Sequence, residues 1–470
     1  MTEALMAISP VDGRYARYTA PLRSIVSEYG LIKYRVEVMV QYLIALIDLD
    51  DLGINYDKDP GHDLMGILHV FTAEDASAIK QIETKGWNGI AATNHDVKSC
   101  ELWLRWKITQ LGYPHLVEWI HFGSTSEDVN NIAYGLMLRD ALVPHMEAIH
   151  KVSHRIEDMA DRYAELSMLS RTHGQAATPT TFGKECANCA GRLQKPLRQL
   201  QGFVMTLKLN GASGNYAAMR AARPDIYWPG FAKNFIESGD YIRGGAHIKF
   251  EQNPLTTQIE PHDTYVELFD IIKRANNILI DFAQNMWRYI SDDWVVQKPV
   301  QGEVGSSAMP HKVNPIQFEN AEGNLILANG MIETIGRKLP ISRLQRDLSD
   351  STVERNFGNV FAHCIVAYEN IVTGLGKISA NEMAMADALD AHPEVLTEAI
   401  QTILRSVGYP NAYDALKALS RGHKISLGDI HDFIDSLDPK YVDHVLKERM
   451  KQLRTETYIG YAAELARTAT

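Results

Sequence analysis

Between Leu142 and Leu166, apolar side chains recur as a seven-residue stripe: Leu142, Ile149, Ile156 and Tyr163, with Val152, Met159 and Leu166 interleaved. A stripe sustained that long is buried only by laying the helix that carries it against other helices of similar length. A second run repeats the demand: Leu268, Ile272, Ala275, Leu279, Phe282 and Met286 fall alternately four and three apart in the stretch that runs on to Ile290. Alternating β-branched runs joined by Asn-Gly or Asp-Gly turns are nearly absent, and Asp12-Gly13 has no strand-like run on either side. The expected fold class is all-α: three helical segments, with a bundle of long helices in the centre.

At about 150 residues per domain, a chain of 470 residues suggests three parts. The first is expected over 1–122, with shorter helices broken at Asp59-Pro60-Gly61 and Gly86-Trp87-Asn88-Gly89. The second, 123–374, holds the long helices. The third, 375–470, follows Gly374-Leu375-Gly376 and carries shorter helices such as the stretch after Pro393. A content of 45% hydrophobic and 22% charged residues fits a packed protein. With 47 Lys and Arg against 58 Asp and Glu, the net charge of −11 argues against a nucleic-acid partner. No stretch is apolar for long enough to span a membrane. The start, MTEALMAISPVDGRY, lacks a basic region followed by an apolar one, and 4 cysteines suit a reducing compartment. A soluble, cytoplasmic protein is expected. Cys186-Ala187-Asn188-Cys189 has redox spacing, but it sits in a helical pattern without a second Cys pair and reads as core helix. His-Glu-x-x-His, a Walker loop and a serine-hydrolase elbow are absent, so neither metal nor cofactor is implied.

Chemistry concentrates in the stretch Gly302 to Pro315, which places Ser306, Ser307, His311, Lys312 and Asn314 among glycines and prolines. Asn314 and Pro315 read as N-cap and first turn of a helix from Ile316 towards Leu339. The loop is thus delivered onto a helix start, where backbone N–H groups favour anions. A plain polar surface loop is the alternative, although Met309 and Pro310 suit that poorly. Ser124-Thr125-Ser126-Glu127-Asp128 has capping-box spacing twice over, Ser124 to Glu127 and Thr125 to Asp128. Thr93-Asn94-His95-Asp96 has the same dual character of helix start and anion contact.

The glycine, two serines, Met-Pro, lysine and Asn-Pro of the first stretch resemble the signature of the fumarase/aspartase superfamily. His121-Phe122-Gly123-Ser124-Thr125-Ser126-Glu127-Asp128 and Ser170-Arg171-Thr172-His173-Gly174-Gln175 resemble its other shared regions. Within that superfamily, Arg14-Tyr15, Thr93 to Lys98 and Thr256 to Asp263 resemble the bacterial-type adenylosuccinate lyase family, from about residue 9 through Arg355 and weakly beyond. One departure is Ala176, where the family usually has proline; it is expected to touch loop stiffness only.

The resemblance implies a β-elimination that releases fumarate from adenylosuccinate, giving AMP. It implies the same cleavage of succinylaminoimidazole carboxamide ribotide, giving AICAR, in purine biosynthesis. That chemistry needs a base for a weakly acidic proton beside a carboxylate, groups to hold the resulting dianion, and an acid for the departing nitrogen. By resemblance Ser306 is the base, with Lys312 and the helix start favouring its alkoxide. His173 is then the general acid, and Glu319 the carboxylate that orients it. Judged alone, His173 is a satisfied polar residue and Glu319 an exposed first-turn acid. Substrate contacts implied are Asn94, His95, Asp96, His121, Thr125, Ser126, Gln258, Ser307, Val313, Asn314 and Asn320. Arg14 and Tyr15 match residues that grip the nucleotide phosphate, with Arg346 and the run Ser351, Thr352, Val353, Glu354 and Arg355 completing the polar shell. The family also implies a homotetramer with sites shared between chains. The rival readings are argininosuccinate lyase, aspartase or fumarase, which leave the phosphate-binding set unexplained, and a non-catalytic helical scaffold, which leaves Ser306, His173, Lys312 and Asn314 unexplained.

Overall fold

The protein is described by a computed structural model that covers residues 5–56, 59–299, 309, 311–420 and 425–468. Its long helices, in chain order, are α1 (Glu28–Ile47), α2 (Asp96–Gln110), α3 (Ser126–Arg162), α4 (Phe182–Leu200), α5 (Asp263–Ser291), α6 (Ile316–Lys338) and α7 (Phe357–Gly376). Both apolar stripes fold as helices: α3, with 37 residues, starts well before Leu142 but ends at Arg162, short of Tyr163 and Leu166, and α5, with 29, contains its whole stripe. The N-terminal extension of α3 has a local cause. Thr125 N donates to Asp128 Oδ2 at 2.8 Å, so the second of the two capping spacings is the one used. Ser124 Oγ instead meets His121 Nδ1 at 3.0 Å, and Glu127 turns into the interior. At α6 the cap is Pro315, whose carbonyl accepts from Phe318 N and Glu319 N. That is one position later than the Asn314-Pro315 reading, because a proline carbonyl can serve the first turn while its missing N–H goes unmissed.

Contacts gather the chain into two compact units, each built from three stretches. Unit 1 comprises Met1–Ile149, Lys195–Asn277 and Gly323–Glu369; unit 2 comprises His150–Gln194, Ile278–Glu322 and Asn370–Thr470. Each boundary falls inside a helix, so α3 to α7 contribute to both.

In unit 1, Phe357 at the start of α7 packs under Tyr134 of α3 and under Tyr265 and Phe269 of α5, with ring centroids 5.1–6.0 Å apart. Each such buried aromatic is worth about 1.5–3 kcal/mol of apolar transfer. A buried amide knot then sets helix register. Asn276 donates to Asn329 Oδ1 at 3.0 Å and accepts from Tyr368 OH at 2.7 Å, joining α5, α6 and α7. In unit 2, Phe182 of α4 lies between Tyr163 and Tyr289. Gly183 allows that approach, since a Cβ there would come within 2.4 Å of Ala160 O. Cys186 and Cys189 are buried in α4 with free thiols whose pKa burial raises, to about 12 for Cys189, which bears out the core-helix reading. The short helices after Pro393 close on Leu396, Ile400, Leu404, Ile430, Ile434 and Met450.

Small strand pairs interrupt the helices. β1 (Ser167–Thr172) and β2 (Gln175–Thr181) are antiparallel, β3 (Phe203–Leu207) and β4 (Ile248–Gln252) parallel, and β5 (Val295–Gln297) and β6 (Ile378–Ala380) antiparallel. The fold is mostly helical as expected, and these short pairs are its departures. No helix among the described residues is long and apolar enough to cross a membrane.

Candidate active site

The candidate residues fall into one set in each unit. In unit 2 the segment Ser170 to Gln175 is the tip of the β1–β2 hairpin. Thr172 pairs with Gln175, and the two residues between them, His173 at φ +53° and Gly174 at φ +75°, are both left-handed. That is the backbone of a type I′ turn, whose twist matches the strands it joins. Glycine adopts it freely, whereas His173 is held there at a cost of about 1 kcal/mol or more. The result is an exposed imidazole on a braced tip. Its ring has no hydrogen-bond partner among the described residues of the chain. The strand behind it is steadied by Arg171, whose guanidinium lies 5.3 Å over the Trp294 ring. Ala176 sits in the ladder opposite Arg171, so the departure from the family proline falls in a strand and not in a loop.

Ser306 and Ser307 lie outside the described residues. Lys312 is exposed, and Val313 O accepts from Gln297 Nε2 at 2.8 Å, which ties the approach to α6 onto β5. Asn314 and Asn320 are half-buried at the start of α6. Glu319 Oε1 accepts from Trp287 Nε1 at 3.0 Å. His173 and Glu319 share no hydrogen bond within the chain.

In unit 1 the expected phosphate and substrate contacts are joined by a charge network. Asp96, at the start of α2, takes Arg35 at 2.8 Å and Arg355 at 2.9 Å; Arg355 also holds Glu28 at 2.8 Å. Partial burial works against the Asp96 charge, but Arg35 and Arg355 hold its carboxyl below the usual range. Arg35 Nε continues to Asn130 Oδ1 at 2.9 Å, and Asn130 Nδ2 to Glu127 Oε1 at 2.7 Å. Glu127 Oε1 takes Arg346 Nη2 at 2.9 Å, whose Nη1 lies 3.4 Å from Gln258 Oε1. Arg355, Asp96, Arg346 and Gln258 are therefore brought into one connected set.

The remaining residues of this unit sit as follows. Asn94 is left-handed at φ +52°, and the group that caps α2 is the His95 imidazole, whose Nδ1 accepts from Lys98 N at 3.3 Å. In the neutral ring that leaves Nε2 as the donor. His121, Thr125 and Ser126 gather at the start of α3 and are half-buried. Ser351, Thr352, Val353 and Glu354 belong to a short helix, Ser349–Glu354, in which Glu354 is buried. Arg14 is exposed and Tyr15 half-buried.

Sequence reasoning missed the residues that hold these in place. Arg35 is 1% exposed among buried apolar residues of α1, and a charge set between Tyr34 and Val36 in the stretch Leu31 to Val40 was the available signal. Lys208 and Asp128 form a buried pair at 2.6 Å. Asp128 also accepts from Asn210 N at 3.0 Å and Gly211 N at 3.0 Å, which pins the 208–211 strand exit to the start of α3. Nothing local marks Lys208.

A helical fold of this connectivity, with a histidine tip and an arginine-rich anion network, is that of the fumarase/aspartase superfamily of lyases. A solved fumarate lyase from Mesorhizobium sp. BNC1 shares the fold, with a TM-score of 0.73 at 16% identity over 95% of this chain and 96% of that one. The Lyase family profile matches residues 13–330, and the adenylosuccinate lyase C-terminal profile matches 342–459. Adenylosuccinate lyase of Buchnera aphidicola (subsp. Schizaphis graminum) is 43% identical over 470 residues, covering 98% of each chain. That of Escherichia coli K12 is 43% identical over 468 residues, 98% of this chain and 97% of that one. The chain belongs to the adenylosuccinate lyase family, and it is an enzyme, a lyase.

Proposed function

We propose that this enzyme cleaves adenylosuccinate to AMP and fumarate, and succinylaminoimidazole carboxamide ribotide to AICAR and fumarate, within purine biosynthesis. The observation that carries this is identity above 40% to enzymes of that name along essentially the whole chain. The Ser306 alkoxide removes the proton from the carbon beside the succinyl carboxylate. The electron pair is held as a dianionic aci-carboxylate and then expels the nitrogen, which takes a proton from His173; the new carbon–carbon double bond is that of fumarate. Lys312 favours the alkoxide, and Glu319 orients His173. Arg14, Tyr15, Arg346, Ser351 and Arg355 hold the phosphate; Glu354, buried, lies behind that shell without touching substrate, and the other substrate contacts named above hold the succinyl and purine parts.

The exposed, unpartnered His173 supports the companion reading of a cytoplasmic homotetramer, in which a site draws His173 and Ser306 from different chains. The division into 1–122, 123–374 and 375–470 belongs to the same reading. The test is ultraviolet absorbance of the purified protein with adenylosuccinate, argininosuccinate or aspartate. Change with adenylosuccinate alone is expected, and turnover confined to either of the others would replace this function with theirs.

A further inference from the structure

His262 takes no part in the chemistry above, yet its setting is unusual. It stands just before α5, fully buried and left-handed at φ +65°. Its peptide N–H donates to Glu260 Oε2 at 2.7 Å, and its carbonyl accepts from Val266 N at 3.1 Å. Its Nε2 lies 3.2 Å from Glu354 Oε1, within ion-pair distance, and its ring packs on Tyr265.

The groups around it are mostly acids. Glu354 and Asp350 face it from the short helix, Glu127 from α3 and Glu260 from its own loop. Tyr265 and Tyr134 add phenols, and Arg346 is the neighbouring guanidinium. All of the carboxyl groups are at most 3% exposed. Burying carboxyls in excess of cations disfavours their charged forms wherever no cation or donor compensates. Burial, then the nearby Glu354, raises the pKa of Glu127 and of Asp350. For the imidazole, burial opposes charge, but Glu354, Glu260 and Glu127 outweigh it and raise its pKa to about 9.

We propose that His262, as an imidazolium seated on Glu354, is a positioning residue that ties the loop carrying Gln258 to the short helix carrying Ser351 and leading into Arg355. It thereby sets the spacing of those contacts. The proposal rests on the reading of Gln258, Ser351 and Arg355 as substrate-binding groups. His262 itself is sealed from substrate.

The test compares the full-length wild type with His262→Gln, Glu354→Gln and the double variant. Near neutrality, His262→Gln is expected to raise KM for adenylosuccinate roughly tenfold with kcat changed less than about threefold, the signature of displaced binding groups. The double variant, with a neutral pair, recovers most of that loss. In the wild type KM climbs as pH passes about 9, and in His262→Gln that climb is gone. An unchanged KM, a fall in kcat alone, or a double variant no better than the single would overturn the proposal.

A readout without turnover separates this from the functional reading. The folded pKa lies above the ordinary 6.5, so His262 stabilises fully below that pH and loses its contribution as pH rises through about 9. The urea midpoint of the wild type should fall over that window more than that of His262→Gln. Equal slopes would sink the proposal, whatever the substrate. A steeper wild-type slope in a protein inert to adenylosuccinate would sink only the functional reading. If His262→Gln does not fold, Glu354→Gln, which keeps the ring, must flatten the same slope.

Discussion

At the scale of single residues, the geometry of His173 depends on the glycine after it. A Cβ at Gly174 would meet nothing within 4 Å, so a substitution there acts through its left-handed backbone alone. Gly174→Ala should cost about 1 kcal/mol of stability while lowering kcat at least about tenfold, because a small displacement of a proton donor is expensive in rate. Gly174→Asn, whose side chain tolerates that conformation, should lose less. Thermal melts and steady-state rates on the three proteins check this; a full-rate Ala variant would show that the tip tolerates movement. Arg14 gives a second residue-scale expectation. Exposed, it should contribute through the phosphate. Arg14→Ala is expected to weaken adenylosuccinate by about 1.5–3 kcal/mol and a dephosphorylated analogue far less. Equal losses would mean that Arg14 acts on the fold.

At the scale of elements, the long helices were legible because periodicity is local. Leu142 to Leu166 and Leu268 to Ile290 announce a buried stripe without reference to the rest of the chain. The hairpin was not legible: β1 and β2 are short, and His173-Gly174 is not a usual hairpin dipeptide even though both residues take the conformation of one. The site was legible as motifs, through resemblance, but its scaffolding was not. Asp96 to Arg355 and Glu127 to Arg346 are pairs distant in sequence, and no local pattern encodes them. Buried polar groups of the helix core went unseen for the same reason. His145 of α3 is fully buried against the edges of Phe361 and Tyr368, and neither ring nitrogen has a partner. Burial, aided by His247, lowers its pKa from 6.5 to about 3. Over that window the unfolded chain binds a proton that the folded one does not. Stability therefore falls as pH drops below 6.5, with a slope of up to about 1.4 kcal/mol per pH unit from this group. His145→Leu should shrink the difference in urea midpoint between about pH 8 and about pH 5 at a fixed protein concentration. An unchanged difference would place the acid sensitivity elsewhere.

At the scale of the whole molecule, the proposed reaction turns on which chains supply its acid and its base. His173 stands exposed on its tip, unpaired with Glu319, while a β-elimination needs acid and base on one substrate. If they come from different subunits of a tetramer, His173→Ala and Ser306→Ala are each dead alone but complement each other in a mixed assembly. With random assortment, one half times one half, roughly a quarter of the sites carry both residues intact. The measurement is the rate of fumarate release from adenylosuccinate by hybrids isolated through two different tags after co-expression. About a quarter of the wild-type rate per site is expected. Hybrids shown to contain both chains, yet as inactive as either parent, would contradict the shared site.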